Sequence, residues 1–138
     1  MLLGKQVTEM ENIIIVGAGP AGISAALYAA RGNMNPLVIN TGIGSLEKAE
    51  KIENYYGLEE PLSGRELFER GISQAREMGV RILDAQVVGM GGFDTFVVKT
   101  TEGDHEAVSV ILATGNKRAT ARIPGIREFE GKGVSYCA

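Results

Sequence analysis

Six residues near the start of the chain, Gly17-Ala18-Gly19-Pro20-Ala21-Gly22, have the types and spacing to hold a phosphate. In this G-x-G-x-x-G pattern, Gly17 permits a tight turn and Gly19 lets the backbone approach a phosphate with no side chain between them. Gly22 lets the following helix pack close to the preceding strand. The start of that helix offers free N–H groups and a partial positive charge to the pyrophosphate of a dinucleotide. Pro20 suits the first helical turn, where its missing N–H would have no intrahelical partner anyway. A tight turn without a ligand is the competing reading, and it has to be weighed against the elements on either side.

Those elements are the right ones. Asn12-Ile13-Ile14-Ile15-Val16 is a continuous β-branched run, as expected of a strand covered on both faces. From Pro20 to Arg31, Ile23, Ala26, Leu27 and Ala30 fall on one helical face, and Gly32-Asn33 supplies a stop. Pro36-Leu37-Val38-Ile39-Asn40 is a second buried strand, completing a βαβ unit with a right-handed crossover. The usual dinucleotide fingerprint ends this second strand with an acid that holds a ribose hydroxyl. Here Asn40 stands in that place, and no acid follows until Glu47. An asparagine can bond a hydroxyl without a carboxylate's charge-assisted strength, but Asn40 reads equally well as a turn residue entering Thr41-Gly42. The loop points to a dinucleotide without saying which.

Further along, Ser63 and Glu66 form a capping-box pattern. It opens a helix with Leu67, Phe68, Ile72, Ala75 and Met78 on one face, closed by Gly79. Val80 to Leu83 reads as a strand. Gln86 to Val88, Thr95 to Lys99 and Ala107 to Val110 read as an antiparallel meander, and Val110 to Ala113 as a return to the parallel sheet. After Gly115 the residues are loop-like. The expected fold is α/β: a Rossmann-like parallel sheet with helices and a small antiparallel meander, forming an incomplete domain.

Composition narrows the function. Hydrophobic residues make up 44% and charged residues 22%, ordinary for one globular domain. A net charge of −3 leaves no basic surplus for a nucleic-acid backbone, and the short cluster Lys117, Arg118 and Arg122 reads as solvated surface. No run approaches the roughly 18–20 apolar residues of a membrane span. One cysteine cannot form an internal disulfide, so the expected compartment is the cytoplasm. His105, in Gly103-Asp104-His105-Glu106, reads as an exposed hairpin turn, and without companion ligands no metal site is expected. Tyr28, Tyr55 and Tyr56 read as packing residues. Taken alone, Cys137 reads as an inert terminal cysteine.

Several anchors together resemble the low-molecular-weight thioredoxin reductases. The stretch from Ile13 to Gly22, followed by Ala26-Leu27-Tyr28-Ala29-Ala30-Arg31, is very similar to the opening of that family. Ile52-Glu53-Asn54-Tyr55-Tyr56-Gly57 is similar to its Glu-Asn-aromatic-Pro-Gly segment, and Ile111-Leu112-Ala113-Thr114-Gly115 to its strand-Ala-Thr-Gly motif. Gly131 to Ala138 resembles the approach to its redox Cys-Ala-x-Cys, and the sequence stops before the second cysteine. Two positions depart from the pattern. Ile43-Gly44-Ser45-Leu46 replaces a Gly-Gly-Gln-Leu loop, so a long amide contact is either lost or remade by the Ser45 hydroxyl, and Tyr56 stands where a proline is usual.

The resemblance implies a flavoprotein that passes electrons from NADPH through FAD to a cysteine pair and on to a thioredoxin-like disulfide. By position, Gly17, Gly19, Pro20, Ala21 and Gly22 would meet the pyrophosphate, and Asn54 would lie by the flavin end. Thr114 and Gly115 would flank the FAD, Val87 would offer backbone contacts to the adenine, and Cys137 would be the first redox cysteine. Residues 1–11 are then a tail and 12–116 the first segment of the FAD domain. Residues 117–138 would be a crossover toward an NADPH and disulfide domain absent from this sequence. A homodimer is expected. The alternatives are a dinucleotide-binding module without a complete redox relay, and a disulfide reductase fed by ferredoxin instead of NADPH.

Overall fold

A computed structural model of the chain describes residues 10–116 and 121–135. Four of its strands run parallel: β1 (Glu11–Val16), β2 (Pro36–Asn40), β3 (Arg81–Asp84) and the lower half of β6 (Gly103–Leu112). The meander adds β4 (Val87–Gly91) and β5 (Phe96–Thr100), giving one six-stranded sheet in the order β3-β2-β1-β6-β5-β4. Helices α1 (Pro20–Arg31) and α2 (Gly64–Glu77) follow β1 and precede β3, with a 3-10 turn at Gly44–Lys48 and a single-turn helix α3 (Ile126–Phe129).

The apolar runs of β1 and β2 are covered on both faces, as their composition requires. Successive side chains of a strand point to opposite sides. Ile13, Ile15 and Val38 accordingly meet Ile23, Ala26 and Ala29 of α1 and Ile72 and Ala75 of α2. On the other side, Ile14, Val16, Leu37 and Ile39 pack with Val98 of β5 and Ala107 of β6. Helices close one face and the meander closes the other. At the strand starts, buried Glu11 of β1 is paired with Arg81 of β3 across the intervening strand.

Sequence patterning located α1 and its stop well. Asn33 takes the left-handed conformation (φ 56°) just past the helix, and the N–H of Met34 donates to the Ala29 carbonyl at 3.0 Å. Four details differ from expectation. The antiparallel part of β6 lies earlier than Ala107–Val110: the continuous strand is antiparallel to β5 over 103–107 and parallel to β1 over 107–112. His105 therefore lies inside β6, opposite Val98 and half-buried, because the hairpin turns earlier, at Thr101-Glu102. The Thr100 hydroxyl closes that turn, donating to the Gly103 carbonyl (2.7 Å) and accepting from the Glu102 N–H (3.1 Å). Met78 caps the end of α2 and is half-exposed rather than packed along its face. Finally, α3 forms where only loop was expected.

The N-terminus of α2 has a complete capping box. The Glu66 N–H donates to the Ser63 hydroxyl oxygen (3.2 Å), while the Ser63 N–H and hydroxyl both donate to Glu66 Oε2 (2.8 Å each). The backbone bond from Ser63, then its hydroxyl, hold the Glu66 carboxyl below its ordinary pKa. A depressed carboxylate stabilises the fold above the ordinary glutamate range, and that contribution is lost as pH falls through the lowered value. Ser63→Ala should therefore lower unfolding stability by about 1 kcal/mol at neutral pH. Urea titrations should show the gap to wild type narrowing as pH falls below the ordinary glutamate range. A gap of constant size would mean that the box does not act through the carboxylate.

Candidate functional site

The carboxyl ends of β1 and β6 lie side by side, and the chain leaves β1 toward α1 and β2 on the opposite flank. Open α/β sheets bind ligands outside such strand ends, where the strand order reverses. The glycine loop occupies this place. Gly17 turns off β1 with φ 108°, its N–H bonded to the Ile39 carbonyl (2.9 Å), while the Ala113 N–H bonds the Val16 carbonyl (2.8 Å).

The three glycines of the motif have different reasons to be glycine. A Cβ on Gly17 would sit 2.3 Å from the Ala113 carbonyl oxygen, and one on Gly22 would sit 1.8 Å from the Gly17 carbonyl oxygen. Both are required by the packing of this chain against itself. Gly19 is different: its backbone is extended (φ −69°, ψ −179°) and a Cβ would have nothing within 4 Å. Nothing in the described fold demands a glycine there. Gly19 is also the N-cap of α1, whose end has no side-chain cap and no acid in its first turn. The first N–H groups of a helix lack intrahelical partners, so this end is prepared for an anion from elsewhere.

Three clefts follow one another along the strand ends, each sharing Thr41. A 420 Å³ cleft takes in Gly17, Gly19, Pro20 and Ala21 together with Ser45, Thr114 and Gly115. Thr41 and Thr114 carry it into a second of 490 Å³ that reaches Val87 and Gln86, and Gln86 leads to a third of 620 Å³ at Asn40. A dinucleotide fits these residues: an open backbone at Gly19, an uncapped helix end, and a continuous trough. Ser45 reaches the trough because Gly44–Lys48 is wound into a 3-10 turn beside the loop.

Of the expected site residues, Gly22 lies behind the loop, where it packs, and lines none of the three clefts. Asn54 is exposed and also lines none of them. Cys137 falls outside the described residues. The tyrosines are not packing residues: Tyr28 is 76%, Tyr55 56% and Tyr56 100% exposed. Sequence reasoning passed over Thr41, Gln86 and Asp84. Thr41 follows directly from its place after the second strand, whereas Gln86 and Asp84 come from another strand and carried no motif.

Among the described residues no group of three or more His, Cys, Asp or Glu is placed to hold a metal, and no helix is long and apolar enough to cross a membrane. The family described as pyridine nucleotide-disulphide oxidoreductase matches residues 11–138. A thioredoxin reductase of Treponema pallidum is 45% identical over 130 residues, covering 92% of this chain and 42% of that protein. Among solved structures, the atypical thioredoxin reductase TRi of Desulfovibrio vulgaris Hildenborough superposes with a TM-score of 0.74 at 41% identity, covering 93% of this chain and 44% of that one. The thioredoxin reductase of Streptococcus pyogenes gives 0.78 at 37% identity, covering 93% and 42%. The chain thus spans less than half the length of these relatives.

The packing at Gly22 has a direct test. Gly22→Ala must push α1 off β1, because the obstructing atom is backbone, and should cost about 3 kcal/mol or prevent folding. Thermal denaturation matching wild type would contradict the close approach.

Proposed function

The chain belongs to the pyridine nucleotide-disulphide oxidoreductase family, and on that basis we propose that it is the FAD-binding portion of a thioredoxin-reductase-like flavoprotein. The observation that carries the reading is Gly19, a glycine that the fold itself does not need at the one place where a pyrophosphate must touch backbone. The flavin, when bound, would supply the hydride and electron chemistry of the site.

The protein's own part is binding and orientation. The N–H group of Ala21 and the positive end of α1 receive the phosphates, with Gly22 packed behind them to hold the helix in place. Ser45, on its 3-10 turn, offers a hydroxyl to the same cleft, and Thr114-Gly115 close its β6 side. Val87 lines the second cleft and would offer backbone contacts to the adenine there. Asn54 is assigned to the flavin end through its family segment, and Cys137 is the first redox cysteine on the same ground. Electrons would pass from NADPH through the flavin to a cysteine pair, then to a thioredoxin-like disulfide. Residues 117–138 serve as the crossover toward the partner domain. The proposal extends to a homodimer and to the cytoplasm, and a single cysteine in 138 residues supports a reducing compartment.

Gly19→Ala separates binding from folding. A methyl group at this N-cap should change stability by less than about 1 kcal/mol. It should also raise the dissociation constant for FAD at least tenfold, about 1.4 kcal/mol. Flavin fluorescence titration reads the affinity and a thermal melt reads the fold. A wild-type protein that takes up no FAD, or a variant that binds it equally well, would sink the reading. In the full-length protein, NADPH should bleach the flavin absorbance, and bleaching only by reduced ferredoxin would reassign the electron donor.

A further inference from the structure

The end of β2 lacks the acid that a dinucleotide's ribose is expected to meet, and the fold brings one there from another strand. Asn40 and Asp84 are register partners at the carboxyl ends of β2 and β3. The Asn40 Nδ2 donates to Asp84 Oδ1 at 2.7 Å, and Asn40 Oδ1 accepts from the Gly42 N–H at 2.9 Å. Both ends of the amide are engaged, which fixes its orientation: nitrogen toward the carboxylate, oxygen toward the turn. The backbone ladder continues past the pair, with the Ala85 N–H donating to the Asn40 carbonyl at 3.0 Å. Asp84 itself makes no ion pair with any described residue.

Both side chains line the 620 Å³ cleft, with Thr41, Gly42, Ala85 and Gln86. This cleft is the far end of the trough that begins at the glycine loop. We propose that Asp84 is the ribose-binding acid of this site, supplied from β3 in place of the missing β2 carboxylate, with Asn40 as the residue that positions it. The inference rests on the FAD reading and goes one step further, to how the adenosine half is selected. One Asp84 oxygen is held by Asn40, and the other, Oδ2, is available to accept from a ribose hydroxyl pair. A carboxylate there also repels a phosphate on the ribose 2′ position, so the site favours an unmodified adenosine ribose.

A purely structural alternative has Asp84 and Asn40 stapling two strand ends together, and nucleotide binding separates the two. In fluorescence titrations, Asp84→Asn should weaken FAD roughly tenfold, the difference between a charge-assisted and a neutral hydrogen bond, and leave FMN, which has no adenosine, unchanged. Glu128→Gln, a charge removed from the exposed surface of α3, should alter neither. Wild-type protein should bind ADP more tightly than 2′-deoxy-ADP by calorimetry, and Asn40→Ala should narrow that ratio, which a structural staple would leave unaltered. Equal binding of ADP and 2′-deoxy-ADP by wild type overturns the proposal without recourse to any variant. So does an Asp84→Asn protein whose FAD affinity is unchanged, or falls in step with its FMN affinity. Wild-type protein that binds neither FAD nor ADP overturns the FAD reading itself, whereas FAD binding without ribose discrimination removes only the role of Asp84.

Discussion

The rest of the site depends on how closely α1 approaches β1. At Gly22 the helix comes so near the loop that a single methyl group would overlap the Gly17 carbonyl. That contact places the first turn of α1 directly over the end of β1, so the partial positive charge of the helix and the mouth of the sheet share one location. A helix shifted outward by the width of a side chain would keep the same secondary structure, but its N–H groups would no longer face the trough. Apolar packing then makes the placement rigid. Ile23, Ala26 and Ala29 are all buried against Ile13, Ile15 and Val38, and small alanines on the inner face let the backbones stay close.

The second constraint is β6, which belongs to two strand systems at once. Its first half pairs with β5 and its second half with β1, and Ala107 sits at the change-over, opposite both Phe96 and Glu11 and fully buried. Because β6 is continuous, the meander is anchored directly to the central strand and folds over the sheet face opposite the helices, where Val98 packs on Ile14 and Leu37. The same strand delivers Leu112, Ala113 and Thr114 to the loop. Core closure and cleft construction are thus two ends of one element.

What could be read from the sequence was local. The glycine motif, the apolar strand before it, the amphipathic helix after it and the Ser63/Glu66 box all carry their signal within a few residues, and all are found where expected. What escaped was set by pairing between distant segments. Asn40 and Asp84 are 44 residues apart, and only the parallel register of β2 and β3 makes them neighbours. His105 was misplaced because Thr100 closes a tighter turn than the spacing of glycines suggested. The tyrosines have large apolar rings yet lie exposed, since side-chain type alone does not say which face of a helix or loop will be covered. Asn54 was named by likeness to a family segment; its own side chain lines none of the three clefts, while its neighbour Tyr55 lines a further one with Gly19 and Pro20.

The three glycines of the loop do not answer to the same constraint. Gly17 and Gly22 are held by the chain's need to fold, so any descendant that still folds keeps them. Gly19 is under no such constraint from the fold. In this architecture two-thirds of the signature is accounted for by packing alone, so only the middle position can report on what the loop holds.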